Sequence, residues 1–388
     1  MSPHVAQVSF LPAPAGLSGA QVLERWPSLA DIAEAAASAG TRITVVQAAA
    51  HAEGLTRNGV DYLFVDVRGM RRRERGRHVG DLLGTLGVDL AHVHGLGFPE
   101  ESFALSQRLP RLPVLFQDHA DRAPRRWWRR WQWRHRYREL KGVAFTAPEL
   151  AWPFAAAGVL QPSTRLFAIP ESSSRFQRGD RARARIETGL HGHPAVLWVG
   201  HLQDGKDPLT ALDGIALAAQ RLPGLQLWCA YGRAPMMARL RARIERDPWL
   251  AGRVHLLGQV PHARIETLMQ AADLFVSASR REGSGYSAIE AIACGTVPVL
   301  TDIPAFRALA GDARIGRLWP CGDARALADA LVAATLEQMP AEQVRAHFDA
   351  TLSFTAVGGR WREAYLQLLQ GRGDAYAQAL ASRPGSLA

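Results

Sequence analysis

The sequence predicts an α/β protein made of two doubly wound, Rossmann-like sheets, and three observations carry that prediction. A length of 388 residues is ample for two cores. From Val196 onward short apolar runs alternate with amphipathic stretches and little filler separates them. The first half repeats the style, less tidily. Two such sheets are expected to face a cleft, with ligands at the carboxyl ends of the strands.

In the first half Val5–Leu11, Ile43–Gln47, Tyr62–Val67, Leu90–His94, Val114–Gln117 and Val143–Thr146 read as strands, with helices between them. In the second half the strands are Val196–Gly200, Leu225–Gly232, Val254–Val260, Leu274–Ser279, Val297–Thr301 and Ile315–Trp319. Helical patterns cover Pro208–Arg221, Met236–Arg246, His262–Ala272 and Asp323–Leu336. The polar stretch Pro170–Asp180 marks the boundary. The domains are therefore expected at 1–172 and 173–350, with a helix and tail over 351–388. Phe354–Gln370 reads as a helix broken by Gly358-Gly359 and packing back towards the first domain.

Composition narrows the class. No apolar run is long enough to span a bilayer, and Met1 to Gly16 lacks the basic start and apolar core of a signal peptide. Cys229, Cys294 and Cys321 are few and widely separated, and read as buried thiols in a reducing cytoplasm. A cytoplasmic protein, at most peripheral at the inner face of the cytoplasmic membrane, is expected. The net charge of +10 points to acidic partners. Of the 46 basic residues only Lys141 and Lys206 are lysine, which suggests that a compact ammonium is needed where they stand.

The most informative stretch is Ser279–Val299, SRREGSGYSAIEAIACGTVPV. It leaves a strand, opens a glycine-rich loop and enters a short helix. Such a turn presents backbone N–H groups and a positive helix end to one spot, which suits a phosphate. Glu282 and Glu290 bracket it. They can hold hydroxyls at two ends of one ligand. Alternatively, Ser287-x-x-Glu290 is a capping box and serves only the helix. A glycosidase acid/base pair is a third reading. Eight helical steps span about 12 Å at roughly 1.5 Å each, more than the 5–9.5 Å that glycosidase carboxylates need.

The segment resembles the signature of retaining glycosyltransferases of the GT-B fold, family 4, in which Glu-Gly-x-Gly precedes Glu-Ala-x-Ala-x-Gly-x-Pro-Val. Glu282-Gly283-Ser284-Gly285, Glu290-Ala291, Ala293, Gly295 and Pro298-Val299 fill those slots. The resemblance is strong from Val196 to Leu336 and looser before. It implies that Glu282 binds hydroxyls of a donor sugar and Glu290 the ribose of its nucleotide. The amides of Ser284, Gly285, Tyr286 and Ser287 would then face the diphosphate or sugar, beside Gly283.

The same resemblance places Lys206, in VGHLQDGKDPLTAL, where the family keeps a lysine for the leaving diphosphate. His201 takes the slot of the family's arginine, a departure that removes a bidentate fork. Lys206 as a solvated residue at a helix start is the plain alternative. Pro14–Gly19 resembles the glycine-rich donor loop, with Ser18-Gly19 in place of Gly-Gly. His94 and His119 end neighbouring strands; His94 is expected, with Gly19 and His201, to bind the nucleotide-sugar, and His119 matches the histidine the family keeps beside the sugar. The expected reaction is a metal-independent, front-face transfer from a UDP- or other nucleoside-diphosphate sugar to a saccharide or glycolipid acceptor. The catalytic set is His119, Lys206 and Glu282, with no cofactor. No Asp-x-Asp triplet or metal-ligand spacing appears.

One feature stands outside that signature. RAPRRWWRRWQWRHRYRELK, Arg122–Lys141, reads as a helix with Trp133, Tyr137 and Leu140 turned to the core. Trp127, Trp128 and Trp131 gather on another side amid Arg126, Arg129, Arg130 and Arg134. Contact with an anionic membrane and tryptophans packed under loops are equally open readings. Nucleic acid is not expected, because no nucleic-acid module accompanies the segment. The alternatives for the whole chain are a nucleotide-sugar epimerase and a non-catalytic scaffold.

Overall fold

The computed structural model describes residues 2–371. They form two compact units, one taking the chain up to Ser172 with the segment from Phe354, the other Ser173–Ser353. The remainder of the predicted tail lies outside the described residues.

Unit 1 begins with β1 (His4–Ser9), α1 (Gly19–Arg25), α2 (Pro27–Ser38), β2 (Arg42–Ala49), β3 (Glu53–Arg57), β4 (Val60–Asp66) and α3 (Arg72–Leu86). It continues through β5 (Leu90–His94), α4 (Pro99–Arg108), β6 (Val114–Gln117), α5 (Trp127–Arg136), β7 (Gly142–Phe145), α6 (Trp152–Ala156) and β8 (Arg165–Ala168). The sheet order is β3-β4-β2-β1-β5-β6-β7-β8, parallel except for the antiparallel edge pair β3–β4. Both faces are buried. Ala6 and Val8 enter one core and Val5 the other, and Val114 and Phe116 oppose Leu115 in the same way. That period of two on an apolar run is the mark of a sheet covered on both sides.

Two strands escape the sequence reading. β3 and β4 join through Asn58-Gly59, whose φ values of 49° and 76° make a two-residue hairpin turn. The Asn-Gly pair is the signal that announces such a hairpin. β8 is a four-residue edge strand, only half-buried. The arginine- and tryptophan-rich helix is also shorter than predicted. Only Trp127–Arg136 is helical.

Unit 2 runs α7 (Arg181–Thr188), β9 (Ala195–Val199), α8 (Pro208–Ala219), β10 (Gln226–Ala230), α9 (Met237–Glu245), β11 (Val254–Gly258) and α10 (His262–Ala271). It then runs β12 (Leu274–Ser277), α11 (Tyr286–Ala293), β13 (Val297–Thr301), α12 (Pro304–Ala310), β14 (Arg317–Trp319), α13 (Ala324–Glu337) and α14 (Ala341–Thr351). All six strands are parallel in the order β11-β10-β9-β12-β13-β14. The winding reverses between β9 and β12. In sheets of this kind ligands bind at such a switch point, outside the carboxyl ends of the strands. Cys229 and Cys294 are buried as expected, but Cys321 is exposed.

The chain returns to unit 1 as α15 (Phe354–Leu369), unbroken through Gly358-Gly359. The predicted break fails because Gly358 is a contact. A Cβ there would sit 2.1 Å from the Ala35 carbonyl oxygen of α2. Close helix approach outweighs glycine's poor helix propensity. Further along, Trp361 and Tyr365 are fully buried, and the Tyr365 hydroxyl meets His92 and Gln7. Gly358→Ala is expected to cost about 1–3 kcal/mol by overpacking, seen as a lower urea midpoint.

Candidate functional site

The switch point of unit 2 gathers the charged residues of the sequence signature. After β9 the chain makes a short 3-10 turn, Asp204–Lys206, and Asp207 comes next in the left-handed region at φ 50°. After β12 comes the loop to α11. Three links join the two loops. Lys206 Nζ pairs with Glu282 Oε1, Arg280 pairs with Asp207 at 2.7 Å, and the Arg280 amide donates to the Gly205 carbonyl at 3.0 Å. Lys206 is thus no loosely solvated residue at a helix start. It is held against the first glutamate of the signature, and the side chains remain 26% and 13% exposed.

Gly285 caps α11 at φ 72°, and a Cβ there would lie 2.6 Å from the Phe306 ring. Only glycine meets both demands. Gly285→Ala is expected to destabilise unit 2 by about 1–3 kcal/mol and shift the loop, read as a lower melting temperature. At the start of α11 the Ala288 and Ile289 amides turn back to Gly285 O. Gly283 and Ser287 are half-buried, Ser284 buried and Tyr286 exposed.

The alternative reading of Ser287 and Glu290 as a capping box fails, since α11 has no side-chain cap. Glu290 instead pairs with His262 Nε2 at 2.7 Å, at the first residue of α10. Burial raises the Glu290 pKa, and His262 offsets that only in part. His201 is a neutral acceptor. Its Nδ1 receives the Arg233 amide at 3.2 Å. Burial, then the Arg233 and Lys206 charges, holds its pKa below the usual imidazole value. It therefore does not replace the charge of an arginine.

The first-half residues form a hydrogen-bonded chain in unit 1. Glu171 Oε1 meets His119 Nδ1 at 2.6 Å, His119 Nε2 meets His94 Nδ1 at 3.1 Å, and His94 Nε2 meets Gln7 Oε1 at 3.3 Å. Gln7 donates its amide to the Tyr365 hydroxyl, so its oxygen accepts and His94 Nε2 must donate. His94 Nδ1 is then the acceptor of an N–H from His119. With Nδ1 also directed at the Glu171 carboxylate, the arrangement favours an imidazolium at His119, donating from both nitrogens. Burial opposes that charge, but the Glu171 hydrogen bond and charge, with Asp121 and Asp118, raise its pKa.

Two expectations need correction. His94 is buried, with both ring nitrogens used inside the protein, and burial drives its pKa well down. It supports His119, and neither ring nitrogen is left over for a ligand. Gly19 is likewise enclosed. Its amide donates to Glu53 at 2.7 Å, and a Cβ would strike Phe64 at 2.5 Å. Gly19 packs a helix start whose capping box is Ser18 with Gln21.

Sequence reading missed four contributors. Asp207 and Arg280 clamp the loops. Glu171 lies in the stretch taken for a linker, and no local pattern marks it. Arg233, exposed after β10 and beside His201, has no carboxylate partner among the described residues. Its Gly-Arg turn after a strand is the one signal that could have found it. Near His119, burial, then Asp121, pushes the Asp118 carboxyl up to about 7, although it accepts the Ala120 and Asp121 amides.

The two Rossmann-like units have the α/β architecture of GT-B glycosyltransferase structures. Sucrose-phosphate synthase from Thermosynechococcus elongatus superposes with a TM-score of 0.68 at 18% identity, covering 95% of this chain and 100% of that one. Anabaena HepE, solved in complex with UDP, gives 0.61 at 17% identity, covering 99% and 100%. Residues 193–338 match the family described as glycosyl transferases group 1. Among curated relatives, the GDP-mannose:cellobiosyl-diphosphopolyprenol alpha-mannosyltransferase of Xanthomonas campestris is 28% identical over 324 residues, 76% of this chain and 79% of that protein. The D-inositol 3-phosphate glycosyltransferase of Mycobacteroides abscessus is 33% identical over 160 residues, 40% of this chain. The match spans only about a third of that relative's length, 35%.

Proposed function

We propose that this chain is a retaining, metal-independent glycosyltransferase that binds a nucleoside-diphosphate sugar on unit 2 and an acceptor on unit 1. One observation carries the reading. The turn after β9 and the loop after β12 are tied together at the switch point, so Lys206, Glu282 and the start of α11 serve one place. An ammonium and helix-end amides can neutralise a departing diphosphate as its charge grows, in a geometry set before the ligand arrives.

In this reading Lys206 takes the diphosphate and Arg233 supplies the guanidinium that the His201 slot lacks. Glu282 accepts a sugar hydroxyl and orients Lys206 until the donor binds. Glu290, held by His262, accepts the ribose hydroxyls. His119 is assigned a sugar hydroxyl, its Nε2–H exchanging His94 for the ligand. Transfer is front-face, and the departing diphosphate helps take the acceptor proton. The Xanthomonas campestris relative, whose acceptor is a diphosphopolyprenol-linked saccharide, favours a lipid-linked or cell-envelope acceptor.

The test is ligand binding and then turnover. One of UDP, GDP or ADP is expected to raise the melting temperature, a native-state ligand at 100 times its Kd adding about 2.7 kcal/mol. The matching donor sugar should then be transferred with its anomeric configuration kept, as read by NMR, and EDTA should not slow the reaction. Absence of both binding and transfer would leave the non-catalytic scaffold. Acceptor-independent conversion of the donor would mark an epimerase.

A further inference from the structure

The helix α5 has a face that the reaction does not use. Trp127 and Trp131 are 77% and 66% exposed, and Trp128 is 42% exposed, so these tryptophans are not packed under loops. Trp133 instead leans on the unit 1 core, with Tyr137 and Leu140 buried beyond it. On a helical wheel Trp127, Trp131 and Trp128 share the side away from that core. The Arg126 guanidinium lies 5.1 Å over the Trp128 ring.

The charge on this helix is one-sided. Between Arg122 and Lys141 stand eight arginines and a single acid, Glu139. Arg136 is neutralised by Glu100 at 3.2 Å, and Arg138 by Glu139 at 3.5 Å. Arg122, Arg125, Arg126, Arg129 and Arg130 have no carboxylate partner among the described residues. The first turn holds no acidic residue. Arginines at a positive helix end, spaced three and four apart, repel each other and the helix dipole. A large exposed aromatic surface adds a second cost in water.

A partner with negative charge and an apolar interior relieves both costs at once. We propose that α5 docks on an anionic lipid bilayer, the tryptophans entering the headgroup–acyl boundary and the flanking arginines reaching phosphates. Duplex nucleic acid satisfies the arginines but keeps its bases stacked inside and leaves the aromatic face without an apolar phase. Among the described residues no helix is long and apolar enough to cross a membrane, so the contact is peripheral. The proposal deepens the reading of a lipid-linked acceptor but uses no residue of the donor site, so the two can fail separately.

The test is flotation of the full chain with phosphatidylcholine vesicles, with and without phosphatidylglycerol. Binding is expected only with phosphatidylglycerol, weakening by on the order of tenfold or more in high salt. Trp127→Ala/Trp131→Ala and Arg125→Gln/Arg129→Gln should each cut partitioning on the order of tenfold. Both pairs should keep the wild-type thermal shift with nucleoside diphosphate. Where a variant does not fold, quenching of wild-type tryptophan fluorescence by brominated lipid replaces it. No lipid-dependent binding or quenching overturns the proposal, as does binding retained by the tryptophan variant. Tighter binding to DNA or RNA than to phosphatidylglycerol vesicles, at the same salt, also overturns it.

Discussion

Lys206→Ala is expected to lower kcat/KM for sugar transfer by roughly 100- to 1,000-fold, the scale of removing one preorganised charge from a developing anion. Its fold should survive. The Lys206–Glu282 pair remains partly solvated, so its loss should cost unit 2 only about 1 kcal/mol, in the range of exposed pairs. Glu282→Gln keeps the size of the side chain but frees the ammonium, and should also lose transfer while remaining folded. Nucleoside-diphosphate affinity separates the two variants. It should weaken in Lys206→Ala and hold in Glu282→Gln, because only the lysine meets the phosphates. Arg233→Ala should resemble the lysine variant, with a smaller loss. Wild-type turnover by Lys206→Ala with the correct donor would end the assignment.

Glu171→Gln is expected to move the alkaline limb of kcat/KM to lower pH and to lower the His119 pKa tracked by NMR. The carboxylate is the largest influence raising that pKa, working against burial. A neutral glutamine keeps one hydrogen bond and loses the charge. The stability effect has a definite sign. A histidine whose folded pKa is raised stabilises below its unfolded value, near 6.5, and that contribution fades as pH rises through the raised value. Glu171→Gln should therefore cost more stability at pH 6 than at pH 9. The buried His92, held at about 3, titrates in the opposite sense, as does His94. The variant must therefore be compared with wild type at each pH. His119→Ala should remove the limb altogether and reduce kcat/KM on the order of 100-fold.

Legibility in the sequence tracked periodicity. The six strands of unit 2 were readable because each is an apolar run set off by an amphipathic helix, the edge strands β11 and β14 included. In unit 1 the edge strands were missed, one short and half-buried, the other a hairpin arm whose Asn58-Gly59 turn was the only clue. Gly358-Gly359 misled for a related reason. Local propensity counts against helix, whereas the contact with Ala35 that decides the matter is 323 residues away in the chain. Among candidate site residues, Lys206 and Glu282 were legible because each fills a slot of a family signature carried within one loop. Gly19 and His94 were misplaced because exposure and hydrogen-bond partners are not written in a local pattern.

The amino-acid order alone determined the α/β class and the glycine-rich turn into α11, since these depend on spacing within one strand–loop–helix unit, while the candidate roles of Lys206 and Glu282 came from the resemblance to GT-B family 4. Only the tertiary structure decided that the loops after β9 and β12 close on each other, that Glu290 turns to His262, and that Glu171 pairs with His119 and raises its pKa. The physical reason is the same in each case. A side chain's charge state and partners depend on groups brought near it by other strands and helices, and short-range pattern carries no record of those neighbours.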